Sequence, residues 1–502
     1  MAFIAVCVFL SWCVFSHNDI FLFQEEKFME AILNFIGKLN DNVIWGIPMV
    51  ILMIGTGIFL TILTKGVIFT KFHIVMRYTT KTLFKKRDKA EIEEGAISPF
   101  QAVCTALAAT VGTGNIVGVA LAIATGGPGA IFWLWISALI GMVIKYCEVT
   151  LSQAYRTTNE KGEIVGGPMY YISKGMGKKW LAILFAIFGG FASLGIGASV
   201  QSNALAGSVN ATFSAPTWAI GIVVACLGAL IFIGGIKRIA NVTEFLVPFM
   251  SILYIVGAIV VLIINAGQIP AAFALIIKNT FTGTAAVGGF LGASVMYACR
   301  IGMARGVFTH EAGMGSAPIA HAAASTDHPA RQGLWGAFEV FFDSIVMCTV
   351  TALVILTSGL WTDAAYVGDT RAMSSMAFEN ACPGGQYVVT VGLCLFAFAT
   401  IIAWYYYGEK CIEYLSKGNK IIKLVYRIIY TLMIFWGCVA SLDAVWEFAD
   451  LFNGLMAVPN LIALIVLSPV IKKLSDNFFK NPDEKRPAGT DYSEFLRDKT
   501  KR

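Results

Sequence analysis

Two stretches of this chain set polar and conformationally permissive residues inside long apolar runs. Around Gly112 it reads AVCTALAATVGTGNIVGVALAIA, with Gly112, Thr113, Gly114 and Asn115 at the middle. Around Glu311 it reads GMARGVFTHEAGMGSAPIAHAAA, with Thr309, His310, Glu311, Gly313, Gly315 and Pro318 where an apolar helix should continue. A glycine inside a helix costs about 1 kcal/mol against alanine, and each break frees backbone N–H and C=O groups. A half-helix N-terminus can meet an anion and a half-helix C-terminus a cation. Gly114 and Gly118 could instead form a close-packed helix seam. A dinucleotide fingerprint fits worse, since the spacing is G-x-G-x-x-x-G and no βαβ unit surrounds it. His310-Glu311-Ala312-Gly313-Met314 is not HExxH, so a zinc-protease site is excluded.

The elements that hold these stretches are set by composition. Of 502 residues 57% are hydrophobic and 14% charged, against roughly 25% charged in a soluble domain. Residues 95–144 and 180–236 contain no charged side chain. Each run exceeds the ~20 residues that cross a bilayer once. The chain therefore reads as an all-α integral membrane protein, not an enzyme of the cytosol and not a nucleic-acid binder. The net charge of +6 sits in connections. The 11 Cys are scattered without a CxxC, as buried small apolar residues are.

Eleven transmembrane helices are predicted, near 45–64, 98–121, 129–152, 180–207, 217–235, 240–266, 288–324, 333–359, 386–409, 422–441 and 446–472. Lys and Arg alternate between connections: eight in 65–97, five in 153–179 and nine from Lys472 to Arg502, against none in 208–216 and one each in 267–287 and 360–385. The positive-inside rule then puts the N-terminus of the first span outside and the C-terminus in the cytoplasm. Residues 1–44 form an apolar and interfacial segment, 45–472 a single transmembrane domain, and 473–502 a polar, solvated tail. Residues 1–16 could be a poor signal peptide or an extra anchor. Segment 66–90 reads as an amphipathic surface helix.

The second and seventh spans are both interrupted, lie five spans apart and run in opposite directions. Matching breaks in two inverted halves point to the binding site of a secondary transporter. Spans 2–6 and 7–11 would be the two halves, with the first span outside them. A channel would need a repeated filter or a pore-lining ring, and neither is visible. Lys145 and Glu148, toward the inner end of the third span, read as a structural pair or snorkelling side chains near an interface, or equally as functional residues. Glu244, Glu409 and Lys410 read as interface charges, and His321 and His328 as capping or surface residues. Asp343 and Glu339 lie deeper, as functional acids or with a structural partner. Asn115 could serve an ion or cap a half-helix. Thr400 and Trp404 are one turn apart and share a face.

The motifs GGPGAIFWLWISALIG at 126–141, VGTGNIVGVA at 111–120, GGPMYYI at 166–172, RGVFTHEAGMGSAP at 305–318 and AWYYYGEK at 403–410 resemble those of the alanine or glycine:cation symporter family. The resemblance covers about 45–475. It departs at His310, where the family usually has Asn, and at Ala399, where a Ser is common. It implies a LeuT-type fold with a 5+5 inverted repeat. It also implies sodium-coupled import of alanine, glycine or a related small neutral amino acid across the cell (plasma) membrane, by a functional monomer with no cofactor beyond sodium. A proton-coupled carrier, or a symporter for serine or glutamine, is the alternative.

By the same resemblance Thr110, Thr113 and Gly114 contact the substrate, with the N–H groups near Thr113 and Gly114 on its carboxylate. Carbonyls around Phe308 and Thr309 hold its ammonium, next to Gly313, and Gln201 adds a hydrogen bond. Phe308, Met314 and Trp404 form walls that leave room for a methyl group. For these walls plain core packing is the competing reading. Sodium would be caged by the carbonyls of Ala108, Val111 and Ala397 and the Thr400 hydroxyl.

Overall fold

The structure is a computed structural model and describes residues 35–83, 92–282, 295–490 and 492–496. The expectations for residues 1–16, for most of the interfacial segment and for the start of the seventh span lie outside the described residues. The elements used below are α1 (Ile47–Leu63), α2 (Phe72–Leu83), α3 (Pro99–Thr110), α4 (Val117–Gly126), α5 (Gly129–Ala154), α6 (Lys179–Phe213), α7 (Thr217–Phe232), α8 (Gly235–Ile264) and α9 (Ile269–Thr282). They continue with α10 (Val295–His310), α11 (Ala317–Ala322), α12 (Pro329–Ser358), α13 (Thr370–Ala381), α14 (Gly385–Ser416), α15 (Lys420–Val439), α16 (Leu442–Val466) and α17 (Ser468–Lys480).

Among the described residues, each of the apolar runs read from the sequence contains helix. Seven helices are long and apolar enough to cross a bilayer unaided: α5, α6, α8, α12, α14, α15 and, from Val445, α16. The second run is two helices, α3 and α4, with a single 3-10 turn at Thr113–Asn115 between them. The described part of the seventh run is also two, α10 and α11. Local chemistry starts α3: Ser98 Oγ accepts the Gln101 N–H at 3.0 Å, and Gln101 Oε1 accepts the Ser98 N–H at 3.1 Å. This capping box, with Pro99 in the first turn, satisfies donors that a helix start leaves bare.

Burial is inverted relative to a water-soluble protein. Phe245, Ile252, Ile263, Ile421 and Leu432 are exposed, while Lys145, Glu148, Glu339 and Asp343 are fully buried. An apolar surface of this extent suits lipid. α5 lies centrally, against α10, α12 and α1, and α3 packs on α8 and α14. Besides the π turn at Asn40–Ile44, two of these helices carry a π segment, Ser193–Val200 within α6 and Phe341–Cys348 within α12. Such wide turns shift the following residues around the helix axis. Both lie beside the broken second run, at Gln201 and Asp343.

The described tail is exposed or half-buried over residues 481–490, but it begins and ends on the body. α17 packs on the body with Ile471, Leu474 and Phe478 buried, and Tyr492 is buried with its hydroxyl on the Asp327 carbonyl at 2.7 Å. The polar composition hid an amphipathic helix, whose apolar stripe is short and interleaved with Lys and Asp.

Candidate functional site

In the second run α3 ends where Val111 leaves the helical region at ψ 87°. Asn115 spans the gap. Its Oδ1 accepts the Gly112 N–H at 2.9 Å, and its Nδ2 donates to the Asp343 carboxylate at 2.7 Å and the Asp343 carbonyl at 3.1 Å. The capping reading of Asn115 therefore holds, and Asp343 has an amide as partner. Ser344 Oγ donates to the other Asp343 oxygen at 2.8 Å.

In the seventh run α10 ends at His310, and the backbone turns left-handed at Glu311 (φ 53°), Gly313 (φ 92°) and Gly315 (φ 81°). Glycine accepts that region freely, but glutamate does not. Two donors hold Glu311 there: Trp404 Nε1–H at 2.8 Å and Ser316 Oγ–H at 2.5 Å. The Ala312 N–H donates to His310 Nδ1 at 3.0 Å, so the ring proton sits on Nε2, 3.0 Å from Ser137 Oγ. His310, the departure from the family pattern, thus ties the end of α10 to α5.

The two breaks meet. A Cβ on Gly114 would lie 2.7 Å from Thr309 Cγ2 and 3.3 Å from Phe308 Cδ1. One on Gly118 would have no neighbour within 4 Å. The close approach is therefore at Gly114 against α10, not along a Gly114–Gly118 seam. The structure brings Thr110, Thr113, Gly114, Gln201, Phe308, Thr309, Gly313, Met314 and Trp404 into the interior, all buried. The Thr113 N–H points to Gln201 Oε1 at 3.5 Å, and Thr113 Oγ1 is buried without a hydrogen-bond partner among the described residues. Gly197 leaves room for the Trp404 side chain. Of the residues assigned to sodium, Thr400 Oγ1 lies 2.9 Å from the Ala108 carbonyl oxygen, to which it donates. That places a hydroxyl and a carbonyl oxygen of two different helices side by side. Ala399 beside it is buried.

Three readings of buried charge are corrected. Lys145 pairs with Glu339 at 3.2 Å, across α5 and α12, not with Glu148, and both side chains are fully buried, so Lys145 does not snorkel. Glu148 accepts instead from the Gly313 N–H at 3.0 Å and from Asn460 Nδ2 at 2.5 Å. His321 is no surface residue: its Nε2 lies 3.0 Å from Glu339 and its Nδ1 2.9 Å from Gln332. Lys410 is buried among Glu163 (2.9 Å) and Glu413 (3.1 Å) rather than solvated at an interface. His328 does cap α12, accepting the Ala330 N–H at 3.0 Å. Residues missed in the sequence are Asn453 and Asn460 of α16, both fully buried. Two amides within an otherwise apolar span were the available signal.

Contacts between elements cross the paired breaks at both ends. At one, Ile97 donates to the Ala323 carbonyl and accepts from the Ser325 N–H, each at 2.9 Å, and Arg156 clasps Glu93 at 2.8 and 2.9 Å. At the other, Arg305 reaches Asp450 at 3.4 Å and stacks over Phe308 and Trp446.

Comparison with known proteins bears on the family and the fold. The model of the sodium:alanine symporter family matches residues 29–491. The chain is 46% identical over 88% of its length to "Sodium/alanine symporter AgcS" of Methanococcus maripaludis, covering 96% of that protein. It is 40% identical over 88% of its length to "Probable sodium/glutamine symporter GlnT" of Bacillus subtilis, covering 90% of it. Among solved structures, MhsT in complex with L-phenylalanine has the same LeuT-type fold, with a TM-score of 0.55, 13% identity, and coverage of 77% of this chain and 99% of that one.

Proposed function

The chain belongs to the sodium:alanine symporter family, and from that premise we propose that it imports alanine, glycine or a related small neutral amino acid with sodium by alternating access. The observation that carries this reading is the meeting of the two broken helices at Gly114 and Thr309. A zwitterion needs donors for its carboxylate and acceptors for its ammonium, and facing half-helices supply both. Thr110 and the N–H groups of Thr113 and Gly114 take the carboxylate, with Gln201 beside them. Carbonyls at Phe308 and Thr309, next to Gly313, take the ammonium. Phe308, Met314 and Trp404 limit the side chain.

Sodium, as cargo, prefers oxygen ligands. Ala108, Val111, Ala397 and Thr400 supply them, and the 2.9 Å contact between Thr400 and Ala108 supports this assignment. When the ion binds, the Thr400 hydrogen turns away and its lone pairs face the metal. An ion held between α3 and α14 has different affinities for conformations in which those helices separate, and so biases the exchange. The protein acts as a monomer in the plasma membrane, with the first span's N-terminus outside and the C-terminus cytoplasmic. The inside end is then the one closed by Glu93 and Arg156.

The test is uptake of labelled alanine into proteoliposomes after a sodium jump, with glycine, serine and glutamine as competitors. Accumulation that follows sodium is the expected result. Accumulation that follows an imposed pH gradient and ignores sodium overturns the ion, and preference for glutamine overturns the substrate.

A further inference from the structure

Asn453 of α16 is fully buried, and neither its Nδ2 nor its Oδ1 has a partner in the described structure. A buried amide without hydrogen bonds is costly, so such a group is normally met by a ligand or a bridging water. Its direction follows from helix geometry. Seven residues are two turns less about 20°, so Trp446, Asn453 and Asn460 form one stripe. The Trp446 ring lies on Phe308, centroids 4.9 Å apart. Asn460 Nδ2 donates to the Gly313 carbonyl at 2.8 Å. Asn453 lies midway, about 10 Å along the axis from each, level with the turn between Phe308 and Gly313. Asp450, on the adjoining stripe, is within 3.4 Å of Arg305. Every other member of the row that touches this turn has a protein partner. A second orphan, Thr113 Oγ1, belongs to the other break that abuts Phe308 and Thr309. Among the described residues Arg305 Nη1, over Phe308, and Glu148 Oε2, beside Gly313, are also buried without a hydrogen bond, so Asn453 and Thr113 are the two uncharged members of this set.

We propose that Asn453 recognises the side chain of the transported amino acid, and that the preferred substrate carries a hydroxyl group of serine size. The proposal rests on the amino-acid reading above and narrows it. An amide presents donors and an acceptor. A hydroxyl is donor and acceptor at once and engages both, whereas a methyl leaves the amide bare. The closed walls of Phe308, Met314 and Trp404 keep longer polar side chains out.

Serine and 2-aminobutyrate are the pair that isolates this contact, since one has a hydroxyl where the other has a methyl. Each competes against labelled alanine in sodium-loaded proteoliposomes. In parallel, each is tested for sodium-dependent thermal stabilisation of the purified protein, which needs no turnover. Serine should win by roughly 5- to 150-fold in the native protein, the value of one hydrogen bond to a buried group. The margin should fall close to parity in Asn453→Leu and, should that variant not fold, in Asn453→Ala. Equal competition in the native protein, or an unchanged margin in the variant, overturns the proposal. Absence of sodium-driven alanine uptake defeats the functional reading instead, and the stabilisation assay still decides on Asn453.

Discussion

At the scale of single residues, the sharpest claim concerns Thr400 and Trp404, one turn apart on α14. Thr400→Val keeps shape and removes the oxygen that sits 2.9 Å from the Ala108 carbonyl. The loss is worth about 1–3 kcal/mol, or roughly 5- to 150-fold in sodium affinity. A sodium titration of alanine uptake measures it, and an unchanged half-saturating concentration removes α14 from the ion site. Trp404→Ala acts on the pocket wall. It should admit longer competitors, with about 1–3 kcal/mol at stake per methylene, and should weaken alanine. Because Trp404 also donates to buried Glu311 at 2.8 Å, Trp404→Phe should lose stability while keeping the competitor ranking. A ranking that does not change in Trp404→Ala means that the ring is packing. The sequence exposed these residues by type: glycine, threonine and asparagine at the middle of apolar runs have few bland explanations. It did not expose their partners. Asn115 with Asp343, and Glu148 with Gly313 and Asn460, join residues far apart in the chain, and which acid meets which donor is settled only when helices pack.

The elements raise a different question, which is how two broken helices are held in contact. Gly114 and Gly118 give a matched comparison. An alanine Cβ at 114 would press on Thr309 at 2.7 Å, while one at 118 meets nothing within 4 Å. Overpacking costs about 1–3 kcal/mol, so Gly114→Ala should part the breaks and abolish uptake. Gly118→Ala should be tolerated and gain about 0.5–1 kcal/mol from helix propensity. Thermal melts in detergent alongside uptake separate the two, and equal behaviour would return the seam reading. α5 and α12 are joined by the Lys145–Glu339 pair, with both side chains fully buried. Removing one partner strands a charge in a low-dielectric interior. Glu339→Ala should therefore lower stability by about 3–5 kcal/mol, and a melting point within a degree or two of the native value would contradict it. Helix positions were legible because apolar runs must be helical in lipid. The π segments of α6 and α12 were not, since an inserted turn residue changes neither composition nor hydropathy, and they are what turn Gln201 and Asp343 toward the break.

Over the whole molecule, two interrupted apolar runs five predicted spans apart pointed to two inverted halves, and the family resemblance implied the LeuT-type fold. The amphipathic α17 escaped that reading because it packs on protein rather than crossing lipid. Orientation rests on charge: Lys and Arg crowd 65–97, 153–179 and the tail, and are almost missing from 208–216, 267–287 and 360–385. Basic residues resist translocation, so the crowded set is predicted to lie in the cytoplasm. The prediction can be read with two cysteines. Lys161 is exposed in one of the basic connections, and native Cys382 is exposed in one of the poor ones. A variant that keeps Cys382 alone should label from outside intact cells with a membrane-impermeant thiol reagent. A cysteine-free background carrying Lys161→Cys should label only after the membrane is opened. The same assignment makes the clasp of Arg156 on Glu93 the inner closure and Arg305 on Asp450 the outer one. Glu93→Gln should then raise inside labelling of a cysteine placed at Ala324, which is buried beneath the clasp with its carbonyl on Arg156, while leaving Cys382 as it was. If both cysteines label from one side, the charge argument has the connections wrong and the two closures exchange roles.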